Sequence, residues 1–169
     1  DYQHPEAYRS LAEMGFAIHK VGPALTFAYR QAIYALDAML DLIEGDARTV
    51  RNVPLVMEEL MMANPSNWVS HYHGDAHTVS LLRHYSYADR IRYYWAQPAA
   101  QSAVSELIQA INLVDIPAPV WMQYFGNETL ARSEILGSQG YGGAKSKVFA
   151  EIQVALVPYF FGNNGGANK

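Results

Sequence analysis

Apolar side chains recur at helical spacing along most of this chain. The clearest stretch covers residues 23–44, where Leu25, Ala28, Ile33 and Leu36 belong to one stripe of positions three or four residues apart. Gly45 follows this stretch, and glycine commonly ends a helix. The same spacing predicts helices at residues 5–13, 53–62, 78–84, 98–113, 127–135 and 145–159, and a Ser-x-x-Asp start that resembles a capping box predicts a short one at 86–95.

One short segment has a different pattern. Residues 16–21 are mostly apolar, and Gly22 and Pro23 follow them, which predicts a strand, a tight turn and then the long helix of an α/β repeat. One strand cannot form a sheet, and a (β/α)₈ barrel needs eight strands and about 250 residues. The chain is therefore expected to be either an α-rich domain with an odd strand or the end of a larger α/β protein.

Composition limits the possible partners and the compartment. Half of the 169 residues are hydrophobic, which is enough for a core, and the net charge of -4 comes with scattered single basic residues. Nucleic acid binding by charge needs clustered Lys and Arg, and a membrane span needs about 18 consecutive apolar residues, so neither partner is expected. The chain has no cysteine, which excludes disulfides and is consistent with the reducing cytoplasm that we predict.

The start of the long helix is the strongest candidate for ligand binding. Gly22 allows a close approach to the backbone, and a helix N-terminus offers unpaired N–H groups and a partial positive charge that suit a phosphate. Ala24 lies in this first turn, Thr26 adds a hydroxyl, and Lys20 adds a charge if it points to the end of the strand. The alternative is that Gly22 and Pro23 only connect two elements and that Lys20 lies along a barrel.

Two other clusters have candidate chemistry. Arg90 and Arg92 could bind a phosphate through their planar guanidinium groups, although an aromatic helix with Asp89 as its cap is the favoured interpretation. The segment His71-Tyr72-His73-Gly74-Asp75-Ala76-His77 contains ordinary zinc ligands, but we favour a polar loop without a metal. The run Gly140-Tyr141-Gly142-Gly143-Ala144-Lys145-Ser146 lacks the spacing of a phosphate-binding loop, which argues against a kinase.

Two runs resemble a known family. They are Val-Gly-Pro-Ala-Leu-Thr-Phe at residues 21–27 and Ser-x-x-Asp-Arg-Ile-Arg-Tyr-Tyr-Trp at residues 86–95. Both are long and specific, and their order and separation also resemble those in the non-catalytic subunits of class II D-tagatose-1,6-bisphosphate aldolase. The resemblance covers residues 1 to about 125 and is weaker beyond Gly126. It implies that this chain is the C-terminal part of a longer protein.

The resemblance implies an α/β fold, in which this mostly helical chain is the end of a TIM (β/α)₈ barrel. Residues 1–45 would supply the loop after strand seven, strand eight and helix eight, residues 46–161 a helical C-terminal extension, and residues 162–169 a disordered tail. On this mapping Asp1 and Gln3 lie on the catalytic face and can hydrogen-bond sugar hydroxyls.

The implied function is to support the stability and activity of a class II tagatose-1,6-bisphosphate aldolase, a lyase of carbohydrate metabolism. The expected partners are its catalytic subunit and a sugar phosphate, in an oligomer. We expect no catalytic residue and no cofactor in this chain, any zinc being in the partner or the missing barrel strands, and no activity from the 169 residues alone. Two alternatives stay open: a metal-dependent ketose 4-epimerase of the same barrel family, and a helical interaction module without sugar chemistry.

Overall fold

The computed structural model describes residues 5–16 and 21–161, and within these residues every regular element is helical. Short 3₁₀ turns at Gly45–Ala47, Pro65–Asn67 and Arg90–Tyr93 lie between some of the longer helices. The α-helices are α1 (Pro5–Glu13), α2 (Gly22–Glu44), α3 (Val53–Ala63), α4 (Ala76–Tyr85), α5 (Pro98–Leu113), α6 (Ala118–Tyr124), α7 (Asn127–Ser138) and α8 (Gly143–Phe161).

Helix α2 is central, because its apolar stripe packs against α3, α5 and α8 together. Ala32, Ile33, Leu36 and Leu40 are fully buried on this stripe, as the helical spacing predicted. Burying a large aliphatic side chain contributes roughly 1.5–3 kcal/mol relative to leaving it exposed, so this face accounts for much of the core. Met57 and Met61 of α3 are also fully buried, whereas Met62 is exposed.

A buried carboxylate joins the end of α2 to the start of α3. Asp37 accepts hydrogen bonds from Arg48 Nη2 at 2.7 Å, from Asn52 Nδ2 at 2.6 Å and from the Val53 backbone N–H at 2.8 Å. Asn52 in turn caps α3 by accepting from the Leu55 N–H at 3.1 Å. These hydrogen bonds connect α2, the turn after it and the start of α3 through one carboxylate.

The last helix packs on both α7 and α2, and its end meets α1. The Tyr159 hydroxyl donates to the Tyr8 hydroxyl at 2.5 Å, and the two rings lie 4.0 Å apart between their centroids. Ala24, in the first turn of α2, packs into this small second cluster. The contact holds α1 beside the start of α2, where the candidate site begins.

At two short segments the structure differs from the prediction, and a third prediction lies mostly outside the described residues. The predicted strand at 16–21 falls mostly on residues 17–20, which lie outside the described part, while Val21 has helical angles and precedes α2. No strand occurs in the part of the chain that the structure describes, so the mostly α prediction is confirmed and the odd strand is not. The helix predicted at 86–95 is wrong, because Asp89 is left-handed and only a 3₁₀ turn follows. Helix α6 was not predicted, since its seven residues carry no clear stripe.

Candidate functional site

The structure brings α2 and the segment 86–93 together at one buried carboxylate. Thr26 Oγ1 donates to Asp89 Oδ2 at 2.5 Å, and Arg30 Nε donates to Asp89 Oδ1 at 3.3 Å. The side chains of Arg30 and Asp89 are 3% and 0% exposed, so this ion pair is removed from solvent. We call Thr26, Arg30, Asp89 and Arg90 the Asp89 corner.

Asp89 has an unusual backbone conformation. Its φ of 46° and ψ of 48° are left-handed, and it is the one non-glycine residue with positive φ among those described. Asp and Asn tolerate this region better than other non-glycine residues. Arg92 holds the turn by donating from Nη1 to the Ala88 and Asp89 carbonyls, and from Nη2 to the Tyr93 hydroxyl at 2.8 Å. Arg92 therefore has a structural role here, and the turn aims Asp89 at α2.

Two guanidinium groups at this corner keep buried N–H groups without acceptors. Within the described residues, Arg30 Nη2 and Arg90 Nε have no hydrogen-bond partner. Arg90 Nη2 donates to His71 Nδ1 at 3.1 Å, and its backbone N–H donates to the Tyr72 hydroxyl at 3.0 Å. Arg90 is partly exposed, so an acceptor from outside is favourable there, whereas Arg30 is buried with its guanidinium carbon 4.3 Å from the centroid of the Phe27 ring.

The first turn of α2 offers fewer free donors than its sequence predicted. Pro23 has no N–H, and the N–H groups of Ala24 and Leu25 both donate to the Val21 carbonyl, at 3.1 and 3.3 Å. The Thr26 hydroxyl proton is engaged by Asp89. An anion at this end would therefore depend on guanidinium side chains more than on helix N–H groups.

Only part of this corner was predicted from the sequence. Gly22, Ala24 and Thr26 lie in the first turns of α2, and Thr26 donates to Asp89, the residue before Arg90. Lys20, Asp1 and Gln3 lie outside the described residues. Arg30 was missed. The available signal was its position four residues after Thr26, which places both side chains on the same face of α2.

The histidine-rich loop shows contacts of its own. Asp75 caps α4 by accepting from the Thr78 N–H at 2.7 Å, and this bond lowers the pKa of the Asp75 carboxyl. His71 is turned toward Arg90. Residues 5–16 and 21–161 contain no group of three or more histidines and carboxylates arranged to hold a metal ion. None of the helices in that part combines the length and apolar character of a membrane span.

A second buried network connects α2, α3 and α4. The Tyr34 hydroxyl lies 2.6 Å from His84 Nδ1, and His84 Nε2 lies 3.1 Å from Glu58 Oε2. Arg83 also binds Glu58, and this hydrogen bond lowers the pKa of the carboxyl. Burial lowers the pKa of His84 and raises that of Tyr34. A neutral His84 thus accepts from Tyr34 and donates to the Glu58 carboxylate.

The comparisons with known proteins identify the family. Residues 1–163 match the family described as D-tagatose-1,6-bisphosphate aldolase subunit GatZ/KbaZ-like, which is a family of carbohydrate metabolism. The chain belongs to this GatZ/KbaZ-like family, in agreement with the resemblance seen in its sequence.

Two relatives have different names. The chain is 49% identical over 133 residues to a D-tagatose 6-phosphate 4-epimerase of Agrobacterium fabrum (strain C58 / ATCC 33970), a match that covers 78% of this chain and 31% of the relative. It is 42% identical, with a TM-score of 0.79, to the crystal structure of a probable tagatose 6 phosphate kinase from Sinorhizobium meliloti 1021, covering 96% of this chain and 41% of that one. The chain thus spans less than half of each relative.

Proposed function

We propose that this chain forms the phosphate-anchoring part of a protein that acts on a phosphorylated tagatose. The observation that carries the proposal is the pair of buried guanidinium N–H groups without acceptors on Arg30 and Arg90, beside Asp89. Guanidinium matches the geometry of phosphate oxygens, and charged hydrogen bonds of this kind are strong. Asp89 pairs with Arg30, and no carboxylate pairs with Arg90 among the described residues, so the charge of Arg90 is available to an anion.

The roles within the corner follow from exposure. Arg90 is only half-buried, and its bonded partner is a histidine nitrogen, so its guanidinium is the group that meets the phosphate. Arg30 is fully buried and held by Asp89, so it contributes charge from behind. Lys20, Asp1 and Gln3 would face the same ligand from the neighbouring segments, with the sugar hydroxyls nearer Asp1 and Gln3.

The position of the corner agrees with a barrel end. We propose that residues 1–45 close a (β/α)₈ barrel, with α2 as its eighth helix, and that residues 46–161 are a helical extension packed beside it. Barrel enzymes commonly bind phosphate at the loops after strands seven and eight, and the start of α2 would follow strand eight. The greater length of both relatives supports this arrangement.

For the whole protein, we propose C4 epimerisation of tagatose 6-phosphate. The support is the 49% identity to a relative with that name. The second candidate, support of a catalytic class II aldolase subunit within an oligomer, is favoured by the description of the family. In either case any zinc would be held outside this chain, by other barrel strands or by the partner.

Replacing Arg90 tests the anchoring role in the full-length protein. Arg90→Ala should raise the KM or Kd for tagatose 6-phosphate about tenfold or more, because a charged hydrogen bond is lost, and leave weak binding of neutral tagatose unchanged. Arg132→Ala is the matched control, since Arg132 forms an exposed pair with Glu128. Equal effects of both variants, or an equal effect on neutral tagatose, would contradict the assignment.

One pair of assays separates the candidate functions. Epimerisation is measured with the purified full-length protein alone, and tagatose 1,6-bisphosphate cleavage is measured with a catalytic class II aldolase subunit, with and without this protein. Turnover alone supports the epimerase, and increased cleavage without turnover alone supports the subunit role. If neither activity is observed, the helical interaction module is favoured. The isolated 169 residues are expected to be inactive, because a barrel site draws on several strands.

A further inference from the structure

A second recess lies where α2, α5 and α8 meet, away from the Asp89 corner. Its volume is about 370 Å³, which is near the lower end of the range for small-molecule sites and large enough for one monosaccharide. It shares no lining residue with the corner. Its walls combine two aromatic rings with amide, hydroxyl and ammonium groups, from Tyr29, Trp95, Gln101, Ser105, Gln109 and Lys145.

Trp95 lines this recess and carries an unsatisfied donor. Its Nε1–H is buried and has no acceptor within the described residues. By contrast, the Nε1–H of Trp68 donates to the Met61 carbonyl at 2.8 Å. Tyr29 meets the Trp95 ring edge-on at 5.1 Å between centroids, and this contact fixes the indole. A buried donor without an acceptor is unfavourable, so a ligand acceptor at this N–H is favoured.

The charge of the recess is positive. Lys145 lies in the first turn of α8, near the positive end of the helix, and has no ion pair in the part of the chain that the structure describes. Asn112 Oδ1 already accepts from the Ala144 N–H at 2.8 Å, so its amide N–H groups are the part of the side chain that faces outward from the cap. No carboxylate lines the recess. An anionic group is therefore the complementary ligand.

The remaining polar side chains of the recess can form hydrogen bonds with the hydroxyl groups of a ligand. Gln101 and Gln109 each have an amide that can donate and accept, and Gln109 Nε2 lies 3.4 Å from Ser105 Oγ, which is a weak contact that a ligand can replace. Aromatic rings commonly pack on the apolar faces of sugars as on other apolar surfaces. We propose that this recess binds a monosaccharide-sized, hydroxylated anion, a sugar acid or a sugar phosphate, with its charge at Lys145 and an oxygen at Trp95 Nε1.

The test follows the indole N–H of Trp95 by NMR in the full-length protein labelled with ¹⁵N-tryptophan. The resonance is assigned by its loss in Trp95→Phe, which keeps a ring in place. The probes are D-gluconate, tagatose 6-phosphate and neutral D-tagatose, each titrated to millimolar concentration. Gluconate and tagatose 6-phosphate distinguish a carboxylate from a phosphate. The titration with tagatose 6-phosphate is repeated in the Arg90→Ala variant. Binding at the Asp89 corner then does not contribute to the shift, and the result does not depend on the proposed function of that corner.

The expected result is a saturable shift of the Trp95 indole resonance with at least one anion. Lys145→Ala should weaken this binding about tenfold or more, and Lys145→Arg should restore most of it. Lys147→Ala is the charge-matched control, because Lys147 lies over the Trp121 ring and does not line the recess. The proposal is overturned if neither anion shifts the resonance, or if Lys145→Ala leaves the affinity unchanged.

Discussion

Replacing Asp89 by Asn removes the charge at the centre of the corner and keeps its shape. Asn tolerates left-handed backbone angles as Asp does, so the variant does not add strain at φ 46°. It leaves Arg30 buried without its counter-ion, and it leaves one carbonyl oxygen to accept from either Thr26 or Arg30. The change therefore isolates the electrostatic role of the carboxylate.

The loss of unfolding free energy expected for Asp89→Asn follows from the burial of the ion pair. With side chains 3% and 0% exposed, the Arg30–Asp89 pair is desolvated, and removing one partner of such a pair typically costs about 3–5 kcal/mol. Asn retains part of the hydrogen bonding, so we expect a loss near the lower end, about 3 kcal/mol. Thr26→Val removes one hydrogen bond to the carboxylate and should cost about 1.5–3 kcal/mol.

The assay is urea unfolding of the full-length protein, with the free energy of unfolding taken from the transition that includes this part of the chain. The double variant Arg30→Met/Asp89→Asn is the control for charge. Met fits beside the Phe27 ring, which lies 4.3 Å from the Arg30 guanidinium carbon. Because both charges are gone, the double variant should be more stable than Asp89→Asn alone.

Two outcomes would refute this reasoning. A loss below about 0.5 kcal/mol for Asp89→Asn would place it with ordinary surface substitutions, and the pair would then contribute little to stability. Additive losses in the double variant would show that Arg30 and Asp89 are not coupled.

Three further predictions concern other parts of the fold. Asp37→Asn should lower the free energy of unfolding by about 1–3 kcal/mol in the same assay, because it weakens the buried pair with Arg48, which keeps Asp41 as its second counter-ion. Burial lowers the pKa of His84 in the folded state, so the unfolded chain binds the proton of His84 more readily. The free energy of unfolding should therefore fall as the pH decreases from about 7 to 5, by no more than about 1.4 kcal/mol per pH unit. His84→Gln should reduce this dependence on pH. Gly143→Ala should cost about 1–3 kcal/mol in thermal or urea unfolding, since φ is +66° and a Cβ would lie 2.2 Å from Asn112 Oδ1, whereas Gly142→Ala, with no atom within 4 Å, should have little effect.

The helical part of the fold could be predicted because its signals are local. The stripe on α2 and the stop at Gly45 depend on residues three or four apart, and the structure places α2 at Gly22–Glu44. The prediction of a helix at 86–95 was wrong because it also used only local signals. Ser86 and Asp89 have the spacing of a capping box, but Asp89 is bound by Thr26 and Arg30 from far along the chain, and these contacts override the local preference.

The candidate site was only half visible in the sequence. Thr26 and Arg90 were named separately, because each sits in a run that resembles the family, but nothing local indicates that Thr26 bonds the Asp89 carboxylate 63 positions further along the chain. The recess at Trp95 had no signal at all. Its donors come from α2, α5, α8 and the turn before α5, and a convergence of this kind exists only after the helices pack.

The two proposed sites share α2 and the segment 89–95, and this affects how their variants are interpreted. Arg30 and Tyr29 are neighbours on α2, and Asp89 and Trp95 belong to one short segment, so a change that displaces this segment would disturb both sites. A change in affinity alone therefore cannot separate loss of a ligand contact from movement of the segment. The Trp95 indole resonance can, because Arg90→Ala should leave it in place if Arg90 acts only on the phosphate, whereas Asp89→Asn should move it if the carboxylate holds the segment against α2.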